Sequence, residues 1–309
     1  MEHEQDPALR GPKVTFAALS DTGRSRSSNQ DYAYAGEVPG APGWTLLAVA
    51  DGLGGHARGE WASQRAVEVL VSSLGEMLAA GDPAEALREV LQGANDALHV
   101  EGQAMGAAGA ATTLVLALIR GRQAWWANVG DSRLYRWHSG TLTQVSEDHS
   151  WVGEAVRSGR LPKSALKEHP EKNVVTRTIG FESVVLPDVG GPIVLRDGDR
   201  LLLCSDGLHG PVSDEILGRC VGELEPEHAV RRLVDLANEA GGPDNITVVV
   251  GQIQARSVVA ARTELIEVSA PNRPPGRRRK RRVFLWSGLL VATTGAVAAA
   301  IPAALVFLN

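Results

Sequence analysis

The chain has 309 residues, 44 % of them hydrophobic and 22 % charged, a balance that excludes a disordered polymer and fits one large or two ordinary globular domains. The net charge of −5 conceals an asymmetry: seven of the 31 basic residues lie between Arg273 and Arg282 and no acidic residue follows Glu267, so the remainder carries 24 basic against 36 acidic residues, about −12. Such a body would repel a phosphate backbone, which argues against nucleic acid as the main partner, and it suits a protein that concentrates divalent cations.

Residues 1–13 are polar, contain Pro7 and Pro12, and show no signal sequence; they read as a flexible leader. A single domain is expected over 14–256. Within it Trp44–Ala50, Thr112–Ile119, Gln123–Val129, Ser132–Trp137, Arg200–Ser205 and Ile246–Ile253 are short apolar runs, often β-branched or aromatic, and read as strands. Glu60–Ala79 and Pro83–Val100 repeat Val, Leu and Ala at helical spacing, and His228–Ala240 is a third helix stopped by Gly241-Gly242-Pro243. Trp151–Thr178 is polar and mixed, and is expected to form a flap rather than core. Cys204 and Cys220 fit no metal-ligand spacing and are expected to be reduced and partly buried.

Residues 257–282 carry Pro271, Pro274 and Pro275 and end in the six cations Arg277–Arg282; they read as a linker and a basic cluster. Val283–Leu308 follows without one charge. As a helix it would span about 39 Å at 1.5 Å per residue, enough for a hydrocarbon core of about 30 Å. A single-pass membrane helix is therefore expected, with the basic cluster and the catalytic domain on the cytoplasmic side.

The chemistry lies in aspartates beside glycine at the ends of strand-like runs: Asp51 in Val49-Ala50-Asp51-Gly52, Asp206 in Cys204-Ser205-Asp206-Gly207, Asp131 in Val129-Gly130-Asp131, and Asp244 in Gly242-Pro243-Asp244-Asn245. Asp31 lies earlier, in Asn29-Gln30-Asp31. Asp-Gly alone is a common turn signal. Several of them, each beside a strand-like run and with Arg26 and His56 in the same chain, point instead to oxygen ligands for Mg²⁺ or Mn²⁺. Strand ends hold carboxylates rigidly, and glycine lets a backbone carbonyl approach an ion. Water placed between two such ions becomes a nucleophile at neutral pH, which suits attack on a phosphate ester.

With these residues the chain resembles the bacterial branch of the metal-dependent, type 2C protein serine/threonine phosphatases. The motifs that carry the resemblance run from Ser20-Asp21-Thr22-Gly23 through Asp51-Gly52-Leu53-Gly54-Gly55-His56, Ala111-Thr112-Thr113 and Asn128-Val129-Gly130-Asp131-Ser132-Arg133 to Ser205-Asp206-Gly207 and Asp244-Asn245-Ile246-Thr247. The resemblance implies an α+β fold, a four-layer α-β-β-α sandwich with a polar flap. It also implies two Mn²⁺ or Mg²⁺ ions, with a third in many bacterial members. Carried over by motif, Asp51 bridges both ions, the Gly52 carbonyl binds one, and Asp206 and Asp244 bind the other. Asp31 orients metal-bound water, Arg26 holds the substrate phosphate, and His56 protonates the leaving oxygen. Asp131 and Asn173 are the candidates for a third ion; Asp131 is otherwise a turn residue paired with Arg133.

The implied partners are phosphoserine and phosphothreonine proteins, a protein kinase among them. One departure stands out: Gln30 occupies a position where many members have an acid, which predicts weaker metal binding there. Two alternatives are kept: a phosphatase dedicated to one regulatory phosphoprotein, and a phosphoprotein-binding module with little turnover.

Overall fold

In a computed structural model, residues 12–54, 57–107, 109–162, 164–165, 169–171 and 173–254 are described. The leader up to residue 11, His56, the linker with its basic cluster, and the apolar stretch 283–308 lie outside the described residues. Among the described residues no helix is long and apolar enough to cross a membrane.

Among the described residues eleven strands and six helices follow in order: β1 (Lys13–Asp21), β2 (Asp31–Glu37), β3 (Trp44–Leu53), α1 (Ala57–Ala80), α2 (Pro83–Ala104), β4 (Ala111–Thr112), β5 (Leu114–Arg120), β6 (Gln123–Val129), β7 (Arg133–His138), β8 (Thr141–Gln144), α3 (Trp151–Arg157), β9 (Asp188–Val194), β10 (Arg200–Cys204), α4 (Asp206–His209), α5 (Asp214–Glu223), α6 (Pro226–Glu239) and β11 (Ile246–Gln254). One sheet runs β1-β11-β10-β7-β8 and the other β2-β3-β5-β6-β9, with β4 beside β3. The paired strands are antiparallel.

The period of two along each strand sorts the side chains into layers. In β3, Leu46, Ala48 and Ala50 pack with Leu70, Leu74, Leu87 and Leu91 of α1 and α2. Leu47 and Val49 point the other way, onto Leu201, Leu203 and Val249 of the second sheet. On that sheet's outer face Leu202, Val248 and Val250 pack with Leu217, Val221, Leu233 and Ala237 of α5 and α6. Helix, sheet, sheet and helix are thus stacked in the expected order. Covered on both faces, β3 has no polar side to show, so it reads as a continuous apolar run rather than an alternation.

Each fully buried Leu or Val in the layer between the sheets contributes about 1.5–3 kcal/mol. An exposed ion pair such as Arg122–Asp197, at 2.7 Å, contributes about 0–1 kcal/mol. Apolar burial therefore holds the sandwich together. The helices start where local chemistry directs: Asp82 caps α2 by accepting from Ala84 N–H at 2.7 Å, with Pro83 at the first helical position. Helix α6 stops ahead of Gly241 and Gly242, both with positive φ. Both cysteines are unpaired and buried. The expected flap opens with α3, which Ser150 caps by accepting from Gly153 N–H at 3.1 Å.

A candidate metal cleft at one end of the sandwich

Antiparallel register gathers the aspartates. Asp31 opens β2 and lies directly across from Asp51 near the end of β3. Asp206 follows β10, Asp244 precedes β11, and Asp131 sits in the turn from β6 to β7. Cys204 at the end of β10 pairs with Arg133 at the start of β7, which brings those turns to the same end. Asp51, Asp131, Asp206 and Asp244 line one cleft of about 300 Å³, together with Arg26, Gln30, Gly52, Asn173 and Val175.

Asp31 stands just behind the lining residues. Its Oδ2 accepts from the Ser205 hydroxyl at 2.7 Å, while its Oδ1 is buried without a partner. Asp206 Oδ1 is likewise buried and unpartnered. Buried carboxylate oxygens are costly to leave unsatisfied, and here they stand beside other acids.

The electrostatics agree. Burial, followed by the charges of Asp31, Asp206, Asp131 and Asp244, pushes Asp51 well above the usual carboxylate range. Burial and the neighbouring acids push Asp31 up to about 7, Asp131 to about 8 and Asp206 to about 6. Without cations the cluster is over-charged, and protons must replace them. The residues therefore fit hard divalent cations. No group of three or more His, Cys, Asp or Glu among the described residues forms a ready-made cage. Ions bound here would be completed by backbone carbonyls and solvent, as Mg²⁺ and Mn²⁺ ordinarily are.

Gly52 shows why glycine must follow Asp51. A Cβ on it would stand 2.0 Å from the Gly59 carbonyl oxygen and 2.6 Å from that of Gln30. The backbone is drawn in tightly there, with Gly52 N–H donating to the Gln30 carbonyl at 3.0 Å. The Gln30 side chain also reaches this point, its Oε1 lying 2.2 Å from where a Gly59 Cβ would be.

Arg26 stands half exposed and pairs with Asp244 at 2.8 Å. Asn173 joins Asp131 in the lining. The alternative pairing of Asp131 with Arg133 does not form: Arg133 places its Nε and Nη2 on the two oxygens of Asp148, at 2.8 and 2.7 Å. Burial pushes Asp148 up, yet the Arg133 fork holds it below the usual range. The Asp131 carbonyl instead accepts from His209 Nε2 at 3.0 Å. Burial, and then Arg133, depress His209 to about 3, so the ring is neutral.

Sequence reasoning missed the residues that brace the cleft. Asn245 receives Gln30 N–H on its Oδ1 at 2.9 Å and donates to the Thr22 and Ser28 carbonyls at 2.8 and 3.0 Å. It thereby clamps the loop that carries Arg26. Ser205 holds Asp31 and also accepts from Thr247 N–H at 3.0 Å. Thr113 accepts from Asp51 N–H at 3.1 Å through its hydroxyl, and its own N–H donates to the Asp51 carbonyl at 2.8 Å. All three belong to the motifs noted above, Asn245 and Ser205 as neighbours of an aspartate and Thr113 in Ala111-Thr112-Thr113, but polar residues in such stretches carry no signal of long-range bracing.

Residues 22–239 match the family model described as protein phosphatase 2C. The chain is 35 % identical over 277 residues to the serine/threonine protein phosphatase PstP of Mycobacterium tuberculosis, which covers 85 % of this chain and 51 % of PstP. It thus spans about half the length of that relative. It is 36 % identical over 241 residues to the protein phosphatase PhpP of Streptococcus pneumoniae, covering 76 % of this chain and 96 % of PhpP. Among solved structures, that of M. tuberculosis PstP/Ppp superposes with a TM-score of 0.71 at 36 % identity, covering 78 % of this chain and 99 % of that one. The PstP catalytic domain in complex with two manganese ions gives a TM-score of 0.67 at 35 % identity, covering 78 % and 98 %.

Proposed function

Because this chain belongs to the protein phosphatase 2C family, we propose that it hydrolyses phosphoserine and phosphothreonine in proteins with the help of two Mn²⁺ or Mg²⁺ ions. The observation that carries the reading is the cleft itself: Asp51, Asp131, Asp206 and Asp244 line it, Asp31 stands behind it, and Arg26 closes the same space. Divalent ions bound there would acidify water at neutral pH and offset the charge of a phosphoryl group.

The chain's own residues have distinct tasks. Asp51 feels every other acid of the set and would serve both ions. Asp206 and Asp244, with the Gly52 carbonyl, would complete the protein ligands. Asp31, fixed on one oxygen by Ser205, keeps the other oxygen to orient water. Arg26, which pairs with Asp244 at 2.8 Å at the cleft, would hold the substrate phosphate, a task that suits its forked, always-charged guanidinium. His56 would give its proton to the leaving serine or threonine oxygen. Gln30 brings no charge and leaves the ions somewhat more weakly held.

The test is phosphate release from phosphoserine and phosphothreonine peptides. Release should require Mn²⁺ or Mg²⁺ and stop with EDTA. Arg26→Ala should raise KM about tenfold or more, the worth of one charge-assisted phosphate contact, with a smaller effect on kcat. Metal-independent release, or a KM untouched by the substitution, would dispose of the reading. Substrates would include the protein kinase whose product this chain removes.

We further propose that the chain is held at the cytoplasmic face of a membrane by Val283–Leu308. Support comes from sequence alone: 26 uncharged residues behind the six cations Arg277–Arg282. The full chain should stay with membranes through an alkaline carbonate wash, whereas a chain ending at residue 256 should not. Release of the full chain by carbonate would refute the anchor.

A further inference from the structure

One buried side chain has no part in the tasks above. His149 lies where the segment 150–178 leaves the sandwich and is 1 % exposed. Its backbone N–H donates to the Gly130 carbonyl at 2.9 Å, and its carbonyl accepts from Thr176 N–H at 2.8 Å. Its ring Nδ1 accepts from Gly130 N–H at 3.2 Å. Its Nε2 faces Asp188 Oδ2 at 3.1 Å, and Arg177 Nη1 donates to the other oxygen of Asp188 at 3.1 Å.

The tautomer follows from one fact: a peptide N–H can only donate. Nδ1 must therefore present its lone pair to Gly130, and the ring proton sits on Nε2, directed at Asp188. Gly130 immediately precedes Asp131. His149 thus grips the glycine before a cleft carboxylate through both its N–H and its C=O. The same residue receives the returning end of the segment. Ser150 bridges Val175, and Trp151 N–H donates to the Val174 carbonyl at 2.9 Å. Val175 and Asn173 from that returning end line the cleft that Asp131 lines.

We propose that His149 is a positioning residue that ties the placement of the flap segment to the setting of Asp131, so that a cation engaged by Asp131 also orders the flap. The inference rests on the reading of Asp131 as part of a metal cleft. A histidine that merely fills the core would satisfy its own polar atoms and pass nothing on. Here the two ring nitrogens serve two different elements: Nδ1 holds the turn from β6 to β7, and Nε2 holds Asp188 at the start of β9, beside Arg177.

The test uses amide hydrogen exchange of the full chain, with EDTA and with saturating Mn²⁺, read in peptides covering 151–162 and 173–179. In the unmodified protein Mn²⁺ should slow exchange there by about tenfold or more. His149→Asn keeps an acceptor near the Nδ1 position and loses the reach to Asp188; His149→Gln keeps the reach and displaces the acceptor from Gly130. Both should lose most of the Mn²⁺-induced protection while exchange in residues 114–120 stays unchanged. The Mn²⁺ concentration for half-maximal phosphate release should rise about threefold to tenfold, as for loss of a positioning contact.

If either variant loosens residues 114–120 as well, Asp188→Asn carries the test. It leaves the Gly130 contacts in place and should give the same loss of protection. Protection equal to the unmodified protein in these variants, or no Mn²⁺ effect on the flap in the unmodified protein, would overturn the proposal. A protein that shows the coupling yet releases no phosphate from phosphopeptides would remove the phosphatase reading and leave this one standing. An active protein with an indifferent flap would do the reverse.

Discussion

Asp51→Asn is expected to cut Mn²⁺-dependent phosphate release by about a thousandfold or more, the scale of losing a central electrostatic contact to the reacting group, while making the metal-free protein more stable. The two effects share one cause. Asp51 is half-buried in the cleft wall and feels four other acids, Asp31, Asp206, Asp131 and Asp244. An amide there removes repulsion when no cation is present and would remove the proposed shared ligand when one is. The side chains are nearly isosteric, and the braces on Asp51 use its backbone N–H and carbonyl, so they survive the change. Activity on phosphopeptides and the melting temperature in EDTA check the pair. A variant that loses activity and also melts lower in EDTA would show that Asp51 is structural, and one that keeps activity would remove it from the metal site. Such a trade of stability for function is common where like charges are gathered on purpose.

The second large effect is a dependence of stability on pH that metal should reverse. Between about pH 7 and 9 unfolded histidines are mostly neutral, and in the fold burial depresses His149 and His209. The carboxyls therefore dominate this window. Unfolded, they titrate near 4; folded and without metal, Asp206 is raised to about 6, Asp31 to about 7 and Asp131 to about 8, with Asp51 also raised.

The folded state thus holds more protons than the unfolded one across the window, and stability must fall as pH rises. Over two pH units, losing about one proton's linkage lowers the melting temperature in EDTA by roughly 5–10 °C for a domain of this size. With saturating Mn²⁺ the cations take the place of the protons, and the slope should flatten or change sign. Below about pH 6 His149 and His209 act in the opposite sense, because their folded values are depressed and the unfolded chain gains those protons first. Melting curves at several pH values with and without Mn²⁺ decide the matter. Parallel lines in the two conditions would mean that the cation does not meet these carboxyls.

Much of the fold was legible wherever a strand or helix is buried enough to declare itself. Trp44–Leu53 and Ile246–Gln254 are covered on both faces, and Gln123–Val129 lies between two strands of its sheet. Each was read within a few residues. Lys13–Asp21, Asp31–Glu37 and Asp188–Val194 were not read as strands. They lie at sheet edges, their residues are mostly half exposed, and Gly190-Gly191-Pro192 breaks the last pattern. Asp214–Glu223 escaped because its buried face is only Leu217, Cys220 and Val221, too few to establish a helical period. The cleft was legible as a set of aspartates at strand ends. Its bracing by Asn245, Ser205 and Thr113 was not, since these contacts reach across 62 to 223 residues of sequence without any local sign.

What the sequence determined by itself is therefore the chemistry: which oxygens are available, on which turns, and that an uncharged stretch follows a basic cluster. Those are properties of residue type and order. What only the tertiary structure decided is which acids confront one another and which residues hold them. Antiparallel register sets Asp31 against Asp51 in one sheet and brings the turns of Asp206 and Asp244 together in the other, packing of the two sheets confronts the two sets, and a buried imidazole fixes the turn before Asp131. Each of these depends on contacts between elements far apart in the chain, and the energy of a buried charge is set by such neighbours rather than by the residue that carries it.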